Sequence, residues 1–419
     1  ICAYVAQSGA TSVVGAPGTA RGDRPVTIIA GTKVFVVSAK SDGSFEYELP
    51  AGIAPPVQVN FTTPSGEVKN LAASTFNAEA HLKRNYFTTG QAPNDMVLAQ
   101  GKFYIANSMD NNVQIRDATT LESVATLALP EYASPSYLFV SHSTTGFVTC
   151  NGNNTLVAFN PNDGSELWTL ELPSEGLAFL GPGKPYANGS YVFVPLANIE
   201  SFGDPSTYRK AEVFVVSIAT HEIEKRITLA GEDALEVARL RGGQLVVVEA
   251  GNLSFDENWQ PYTTTSSYLE VIDEASKQVV RTLDLGAIGA ARPLVDVARN
   301  RIYLASLLNG NLYTVNSINW TMERGEGNPV IVGAQTSYLA DLMLIDDSII
   351  ASSFNEDRLY AISPLDFAMG AWPLPEPLDI GSGEEGFLAG AQRLAWDQDS
   401  RELYILQGLA NRVGRFDMP

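Results

Sequence analysis

Residues 101–120, which read GKFYIANSMDNNVQIRDATT, decide the fold. They contain an apolar run, a polar turn and a second apolar run that ends at Asp117. Two such runs around a turn rich in Asp and Asn predict two antiparallel β-strands joined as a hairpin. Nearly the same pattern returns at 401–417 as RELYILQGLANRVGRFD. The stretch is therefore one copy of a repeated unit.

Seven copies of this hairpin can be aligned along the chain. Their central core positions recur every 44 to 56 residues, at Tyr104, Val148, Phe193, Val247, Tyr303, Ile350 and Tyr404. Further strand candidates precede and follow most copies, such as NDMVLAQ before the first copy and ESVATLALP after it. Four short strands per unit at such a period are typical of a β-propeller. We therefore expect these seven side chains to face the core of an all-β, seven-bladed β-propeller.

The last unit of the sequence has three strands, so its outer strand has to come from elsewhere. AEAHLKRNYF, at 78–87, is a strand candidate that belongs to no other unit. We predict that it supplies the missing strand and closes the ring, which would cover an exposed sheet edge. This assigns residues 77–419 to the propeller.

The units resemble the YVTN-type propeller repeat, and the segment that carries this resemblance best is APNDMVLAQGKFYIANSMDNNVQIRDATTLESVATLALP, at 92–130. The resemblance covers about 330 residues, although insertions lengthen the third and fourth units with IESFGDPSTYRK and LSFDENWQPYTTTSS. It implies the fold and is nearly silent on activity. Propellers serve as binding proteins, surface-layer components and several classes of enzyme.

Residues 1–76 follow a different pattern. VFVVSAKSDGSFEYELPAG contains two strands joined by an Asp-Gly turn, and its FEYEL run alternates apolar and acidic residues. This predicts a small antiparallel β-sandwich. GTARGDRPVTI and SDGSFEYELPAG resemble segments of bacterial immunoglobulin-like modules, over about 70 residues. Such modules usually position other domains at a surface, which the resemblance implies for this chain as well.

The charge of the chain excludes some classes of partner. The net charge is −20, so a phosphate backbone would be repelled and no nucleic-acid partner is expected. No apolar run approaches the length of a membrane span, so no transmembrane segment is expected. The sequence begins at Ile1 without Met or a signal peptide, which indicates a processed chain or a fragment. We expect an extracellular or cell-surface location.

The two cysteines and the glycosylation sequons allow modifications of an extracellular chain. Cys2 and Cys150 are too few for a disulfide framework. One alternative is a bridge between them, within one chain or between two chains, and the other is an inert buried thiol at Cys150. N-x-S/T sequons occur at Asn60, Asn153, Asn188, Asn252 and Asn319.

No residue pattern for catalysis or for a cofactor stands out. The three histidines, His81, His142 and His221, lie in no hydrolase motif, and no glycine-rich nucleotide loop follows a strand. Oxygen-rich turns such as SMDNN, DEN and NED have ligands that calcium accepts. The same residues also suit tight hairpins, because they tolerate positive φ. The sequence therefore predicts no catalytic residue and no cofactor, with calcium as an open alternative.

In propellers, the loops that enter the innermost strands gather around the central axis, where ligands usually bind. We expect this mouth to collect Asn94, Asp95, Ser136, Glu236, Arg292, Tyr338, Gln392 and Arg393. Lactonase-like propeller enzymes resemble this layout and hold a divalent ion there with carboxylates and Asn. Only Asn94, Asp95 and Glu236 would suit that role. The alternative is a polar plug of mutually satisfied side chains.

Two classes of function follow. The first is a non-enzymatic extracellular or cell-surface protein that acts through protein–protein contacts, with copies of itself or other surface proteins as partners. Self-assembly into a filament or surface layer belongs to this class, and the run ICAYVAQSGATSVV either adds a strand to a neighbour or forms the first strand of its own sandwich. The alternative class is a mouth enzyme, lactonase-like and metal-dependent, or a small-ligand-binding protein.

Overall fold

The computed structural model describes residues 2–5, 11–15, 18–50, 53, 57–76, 86–141, 144–258, 260–370, 374, 378–383 and 387–417. These residues form β-strands, turns and short 3₁₀ segments such as Phe354–Glu356 and Gly408–Ala410, without any α-helix. Within them, no helix is long and apolar enough to cross a membrane. The predicted all-β class is confirmed.

The described residues of the N-terminal unit, which spans 2–76, form two four-stranded sheets. The first has the order β5-β2-β1-β8, with β1 (Cys2–Val5), β2 (Thr11–Gly15), β5 (Phe45–Leu49) and β8 (Ser74–Phe76). The second has the order β4-β3-β6-β7, with β3 (Pro25–Ala30), β4 (Lys33–Ser38), β6 (Gln58–Thr62) and β7 (Val68–Ala72). The two sheets share one core, which includes Val13, Val26, Ile28, Phe45, Val59 and Phe61.

The Asp-Gly turn of this unit shows why those two residues are needed. Asp42 accepts hydrogen bonds from the backbone and the hydroxyl of Ser44, at 2.8 and 2.7 Å. Gly43 has a φ of +84°, and a Cβ there would lie 2.2 Å from the carbonyl oxygen of Ala20.

The sequence pattern did not predict that β1 pairs in parallel with β8, since local alternation carries no information on strand direction.

Seven antiparallel sheets follow in the described part of the chain, here numbered I to VII. Sheet I contains β10 (Pro93–Ala99), β11 (Lys102–Asn107), β12 (Asn112–Asp117) and β13 (Ser123–Ala128). Sheet II contains β14 (Pro135–Phe139), β15 (Gly146–Cys150), β16 (Thr155–Phe159) and β17 (Glu166–Glu171). Sheet III contains β18 (Tyr186–Ala187), β19 (Tyr191–Leu196), β22 (Glu212–Ser217) and β23 (Ile223–Thr228). Its inserted hairpin is β20 (Ile199–Ser201) and β21 (Thr207–Tyr208).

Sheets IV to VII repeat this plan. Sheet IV contains β24 (Ala234–Arg239), β25 (Gln244–Glu249), β28 (Ser267–Asp273) and β29 (Gln278–Gly286), with an inserted hairpin of β26 (Ser254–Phe255) and β27 (Pro261–Tyr262). Sheet V contains β30 (Ala290–Asp296), β31 (Arg301–Ser306), β32 (Asn311–Asn316) and β33 (Thr321–Arg324), and β34 (Val330–Ile331) also pairs with β32. Sheet VI contains β35 (Leu339–Ile345), β36 (Ser348–Ser353), β37 (Arg358–Ile362) and β38 (Leu378–Asp379). Sheet VII contains β39 (Ala391–Asp397), β40 (Glu402–Gln407), β41 (Arg412–Asp417) and β9 (Tyr86–Thr88).

The repeated core positions lie where the sequence period placed them. All seven side chains are at most 1% exposed: Tyr104, Val148, Phe193, Val247, Tyr303, Ile350 and Tyr404. The Tyr104 hydroxyl donates a hydrogen bond of 2.9 Å to the backbone oxygen of Pro161 in sheet II. A buried Tyr thus adds a polar contact between neighbouring sheets to its apolar packing. The prediction that these positions face the core is confirmed.

The first strands of successive sheets touch one another around a closed ring. β10 contacts β14 on one side and β39 on the other, so the ring returns to sheet I. The outer strand of sheet VII is β9, in which Thr88 pairs with Arg412 and Tyr86 with Gly414. Of the predicted closing strand at 78–87, residues 78–85 lie outside the described part of the chain, and the predicted domain boundary at 76/77 lies at its edge. Those parts stay predictions.

The ring has two distinct ends. In each sheet the first strand starts where the second stops, as the pairing of Pro93 with Asn107 illustrates. The loops that lead into first strands and those that join second to third strands therefore share one end, here called the top face. The remaining loops form the bottom face. The N-terminal unit lies at the bottom face, where Val14 packs in one cluster with Ile345, and a cavity of about 540 Å³ lies between the two parts.

We predict that β9 is needed for the stability of the ring. A truncation that removes residues 1–85 retains β9, whereas one that removes residues 1–88 deletes it together with Phe87, which is 7% exposed and packs on Phe103. Loss of a buried Phe costs about 3–5 kcal/mol. Chemical denaturation should therefore give the longer truncation a free energy of unfolding lower by about that amount. Equal values for the two truncations would contradict the role of β9.

Candidate functional site

A β-bulge near the start of the first strand recurs in six of the seven described sheets. The register shifts follow Pro93, Pro135, Ala234, Ala291, Leu339 and Ala391. Bulges re-aim side chains. In five of these six sheets, the residue at which strand pairing resumes after the shift has a large or charged side chain. In sheet V, Arg292 lies between the two paired residues that flank the shift. The axial residues in this position are Asp95, Tyr137, Glu236, Arg292, Asp341 and Arg393.

Asp95 and Arg393 form the most buried ion pair on the axis. Arg393 Nε donates to Asp95 Oδ1 at 2.8 Å, and the two side chains are 2% and 0% exposed. Lys184 Nζ lies 3.6 Å from the same oxygen, while Asp95 Oδ2 accepts the Leu138 backbone N–H at 2.9 Å. Burial alone would raise the pKa of Asp95, but Lys184 and Arg393 outweigh it and hold that pKa below its usual value. Asp95 is therefore ionised and fully paired.

Arg292 continues the network on the other side of the axis. Its Nε donates to the backbone oxygen of Ala340 at 2.8 Å, and its terminal nitrogen lies 3.5 Å from Glu236 Oε2. Arg393 reaches the same Ala340 oxygen at 3.3 Å. Asp341 Oδ2 accepts the backbone N–H of Leu394 at 2.9 Å. Burial raises the pKa of Asp341, although Arg393 and the other cations on the axis oppose that shift.

The axial cluster joins all seven sheets and balances its own charge. Three carboxylates, of Asp95, Glu236 and Asp341, stand against three cations, of Lys184, Arg292 and Arg393. Sheet II contributes the Leu138 N–H and the Tyr137 ring, which lies about 6 Å from both Arg guanidinium groups. Sheet III contributes Lys184, whose backbone pairs with that of Glu236 in sheet IV. The charged groups on the axis are thus equal in number, and Asp95 and Glu236 pair directly with cations.

The structure brings together some of the predicted mouth residues and separates others. Asp95, Glu236, Arg292 and Arg393 lie in the axial cluster. Gln392 donates to the backbone oxygen of Asn94 at 3.2 Å, so these two link neighbouring loops. Ser136 is 4% exposed and donates to the backbone oxygen of Ser134. Tyr338 stacks on Phe354 at 5.0 Å, and burial raises its pKa to about 12.

Sequence reasoning missed three members of the cluster, which are Lys184, Asp341 and Tyr137. Asp341 and Tyr137 follow the bulge in the same position as Asp95, so alignment of the first strands could have identified them. Lys184 follows the Gly181-Pro182-Gly183 segment ahead of the short strand β18, where no repeated pattern marks it.

The axial carboxylates do not fit the predicted alternative of a lactonase-like site for a divalent ion, whereas calcium at the SMDNN, DEN and NED turns stays a prediction. A divalent ion such as calcium needs several oxygens that are free to coordinate. Both oxygens of Asp95 are already engaged, one with two cations and one with a backbone N–H. Glu236 lies beside Arg292, and Asn94 is linked through its backbone oxygen to Gln392. In the described residues, no group of three His, Cys, Asp or Glu side chains could hold a metal ion.

The predicted modification sites occupy different environments. Cys150 is a fully buried free thiol, and burial raises its pKa to about 12. The side chain of Cys2 lies outside the described part, so the predicted bridge between Cys2 and Cys150, within one chain or between two chains, stays a prediction. Asn319 is exposed, whereas Asn252 is 8% exposed and its amide nitrogen donates to Thr264. Asn60, Asn153 and Asn188 are partly or fully exposed.

Of the three histidines, His81 and His142 lie outside the described residues. His221 lies in the turn before β23 and stacks on the Trp168 ring at 4.8 Å. Its backbone φ is +58°, and its backbone N–H bonds to Ser217. This histidine is accounted for by turn geometry and ring packing.

Sheet IV contains a buried carboxyl pair that the sequence did not reveal. Glu249 and Glu270 are 0% and 2% exposed and lie on the adjacent strands β25 and β28. Glu270 accepts the Ala230 N–H at 2.8 Å, and Glu249 accepts the Gly231 N–H, so together they hold the loop that leads into β24. Burial, followed by the charge of Glu270, raises the pKa of Glu249 to about 8.

The top face displays large apolar side chains to solvent. Five of them are between 57% and 76% exposed: Met109, Tyr132, Phe202, Phe387 and Leu409. They belong to loops of the neighbouring sheets VII, I, II and III, so they follow one continuous arc of the ring. We call these five residues the apolar arc. Met and aromatic residues are enriched at protein interfaces, and grouped exposed apolar residues mark contact surfaces.

Comparison with known proteins supports the fold. No known protein family and no curated protein matches this chain. Hydrazine synthase from Kuenenia stuttgartiensis is similar in structure, with a TM-score of 0.57 and 12% identity over 80% of this chain and 98% of that chain. The β-propeller domain of Cps50 (Swd1) from Myceliophteria thermophila has a TM-score of 0.58 and 12% identity over 80% of this chain and 99% of that domain. At this identity the likeness shows the fold alone, so the chain has a β-propeller fold.

We predict that the axial ion pairs stabilise the ring as a unit. Asp95→Asn leaves Arg393 buried without its carboxylate, which should cost about 3–5 kcal/mol of unfolding free energy. The double variant D95N/R393M should cost less than the sum of the single changes. The matched control is Glu200→Gln, which breaks the exposed pair with Arg209 and should cost below about 1 kcal/mol. A D95N cost no larger than the control, measured by denaturation, would contradict this role.

We predict that Glu249 makes the stability of the protein decrease as the pH rises. Its folded pKa of about 8 lies above the ordinary value of 4.5, so folding favours the protonated form. Its contribution is fully present below about pH 4.5 and is lost as the pH rises through 8. Each pH unit between 4.5 and 8 removes about 1.4 kcal/mol of stability, so Glu249→Gln should raise the unfolding free energy at pH 9 by about 5 kcal/mol relative to the native chain, with little change at pH 4.5. Identical pH profiles for the two proteins would contradict this assignment.

Proposed function

We propose that the chain is a non-enzymatic extracellular or cell-surface protein that acts through protein–protein contacts. In this proposal the ring is a seven-bladed propeller of the YVTN type, and the N-terminal unit is an immunoglobulin-like module that mounts it. The observation that carries the proposal is the apolar arc on the top face. Water-exposed apolar groups are costly to leave uncovered, and burial of each Å² against a partner stabilises by about 25 cal/mol.

The position of the arc supports a contact surface. The N-terminal unit covers part of the bottom face, with Val14 packed against the ring there. The five arc residues lie at the opposite end, where that unit leaves them open. The N-terminal unit at the bottom face and the apolar arc at the top face give the chain two different surfaces for contacts. Contacts between unlike surfaces of neighbouring copies can continue into a ring or filament.

A second copy of the chain is the partner that we propose for the arc. The alternative route to self-assembly, exchange of the N-terminal strand, has less support. β1 lies between β2 and β8 and pairs with β2 along its whole length and with β8 from Cys2 to Tyr4, so both of its edges are already used within its own sheet. The lactonase-like alternative also has less support, because the axial carboxylates are already paired with cations.

We expect the native chain to self-associate through the arc as its concentration rises. The test variant is M109S/F387S/L409S, which removes three arc residues from loops without changing a strand. The control is V124S/L167S/V280S, which removes three exposed apolar residues from the outer strands of sheets I, II and IV. Sedimentation velocity should show larger species for the native chain and the control, and monomers for the arc variant.

Electron microscopy of the same samples should show filaments or rings for the native chain and the control only. A monomeric native chain at all concentrations would contradict self-assembly. Equal association of the arc variant and the control would contradict the arc as the contact surface.

A further inference from the structure

The two inserted hairpins stand side by side on the top face and enclose a cavity. The Ser206 backbone N–H donates to Ser254 Oγ at 3.0 Å, and the Tyr208 hydroxyl donates to the Leu253 backbone oxygen at 2.7 Å. Tyr262 of the second hairpin also contacts Asp204 of the first. The hairpins therefore form one joined roof, which neither insertion could form alone. Below it lies a cavity of about 220 Å³.

The cavity has apolar walls and an acceptor-rich floor. Its walls include Phe179, Ile199, Phe202, Leu235, Leu253 and Phe255. The floor contains Asp233, which is 5% exposed, and Asn151. In the part of the chain that the structure describes, the Asp233 carboxylate has neither a hydrogen bond nor an ion pair. The Asn151 side-chain oxygen is buried and also lacks a partner.

These two acceptors need a donor that the described chain does not supply. A buried polar group without a hydrogen bond is costly, and an isolated buried carboxylate is more costly still. By contrast, the axial carboxylate of Asp95 is matched by cations and by a backbone N–H. Asp233 therefore differs from Asp95, because the described chain places no cation and no hydrogen-bond donor against its carboxylate. Its unmet hydrogen-bonding capacity points to a ligand with a positive charge or several N–H donors.

We propose that this cavity binds a small primary amine that carries one aromatic or apolar ring. The ammonium group donates to the Asp233 carboxylate and to the Asn151 side-chain oxygen, and the ring lies among the Phe side chains of the walls. The volume fits this class, since a dry cavity of about 150 Å³ holds benzene. The net charge of −20 also favours the approach of a cation.

The protonation of Asp233 gives binding a defined pH dependence. Burial raises the pKa of Asp233 to about 7, and no neighbouring charge contributes to that shift. The titratable groups around it are Tyr208 on β21, Tyr137 on β14 and Glu232, which precedes it in the chain. An ammonium ion favours the ionised carboxylate, so the affinity for the amine increases as the pH rises through 7. Below pH 7 the Asp233 carboxyl group of the free protein is mainly protonated, and binding of the amine releases that proton.

Calorimetry of the full-length chain tests the proposal with three ligands of similar shape. The probe is 2-phenylethylamine, and the controls are the neutral 2-phenylethanol and the anionic 3-phenylpropionate. We expect one bound amine per chain, weaker binding of the alcohol and no binding of the acid. For a carboxyl group with a pKa near 7, the amine should bind about tenfold more tightly at pH 8 than at pH 6. Failure of the amine to bind at pH 8, or equal binding of all three ligands, would overturn the proposal.

Variants assign the binding to this cavity. Asp233→Asn should weaken amine binding at least tenfold and remove its pH dependence, whereas the control Glu257→Gln removes an exposed carboxylate of the same roof and should leave both unchanged. Leu253→Trp fills the cavity and should block binding while Asp233 is still present. A melting curve checks that each variant folds. Unchanged amine affinity in both D233N and L253W would overturn the assignment.

Discussion

The ion pair between Asp95 and Arg393 is the interaction on which the ring depends. It joins the first sheet to the last, and through Leu138, Lys184 and Ala340 the same two side chains reach sheets II, III and VI. A buried charge is costly unless it is paired and hydrogen-bonded. Each charged group on the axis is therefore stabilised only when its partners from the other sheets are in position. This requires the sheets to adopt one arrangement relative to one another. The apolar contacts between sheets provide most of the stability, and the axis defines how the sheets are arranged.

The repeat made much of the fold predictable. A hairpin that recurs every 44 to 56 residues predicted the sheets, and the buried positions of Tyr104 and Tyr303 follow from its alternation. The parallel pairing of β1 with β8 could not be predicted, because partners about 70 residues apart leave no mark in a local pattern. The lengths of the two insertions were evident from the sequence. Their joining into one roof was not, since it depends on contacts such as that of Ser206 with Ser254.

Part of the axial site could also be predicted from the sequence, again because of the repeat. Residues of the loops and bulges, such as Asp95 and Arg393, were expected at the mouth because every unit places that position near the axis. Whether they would bind a metal or one another could not be inferred, because the outcome depends on Lys184, which comes from an irregular segment. Asp233 and Asn151 lie in different units and meet only beneath the roof, so no spacing in the sequence relates them.

The origin of the closing strand has a consequence for how the protein is made. Thr88 pairs with Arg412, so the last sheet joins segments of the chain that are synthesised far apart. At about 5–20 residues per second, the ribosome needs roughly 20–60 s to travel from one to the other. During that interval β9 has no partner strand, and sheet I has a neighbouring sheet on one side only. The nascent chain is then exposed to wrong pairing with other chains, and the ring gains its protection only when the final residues appear.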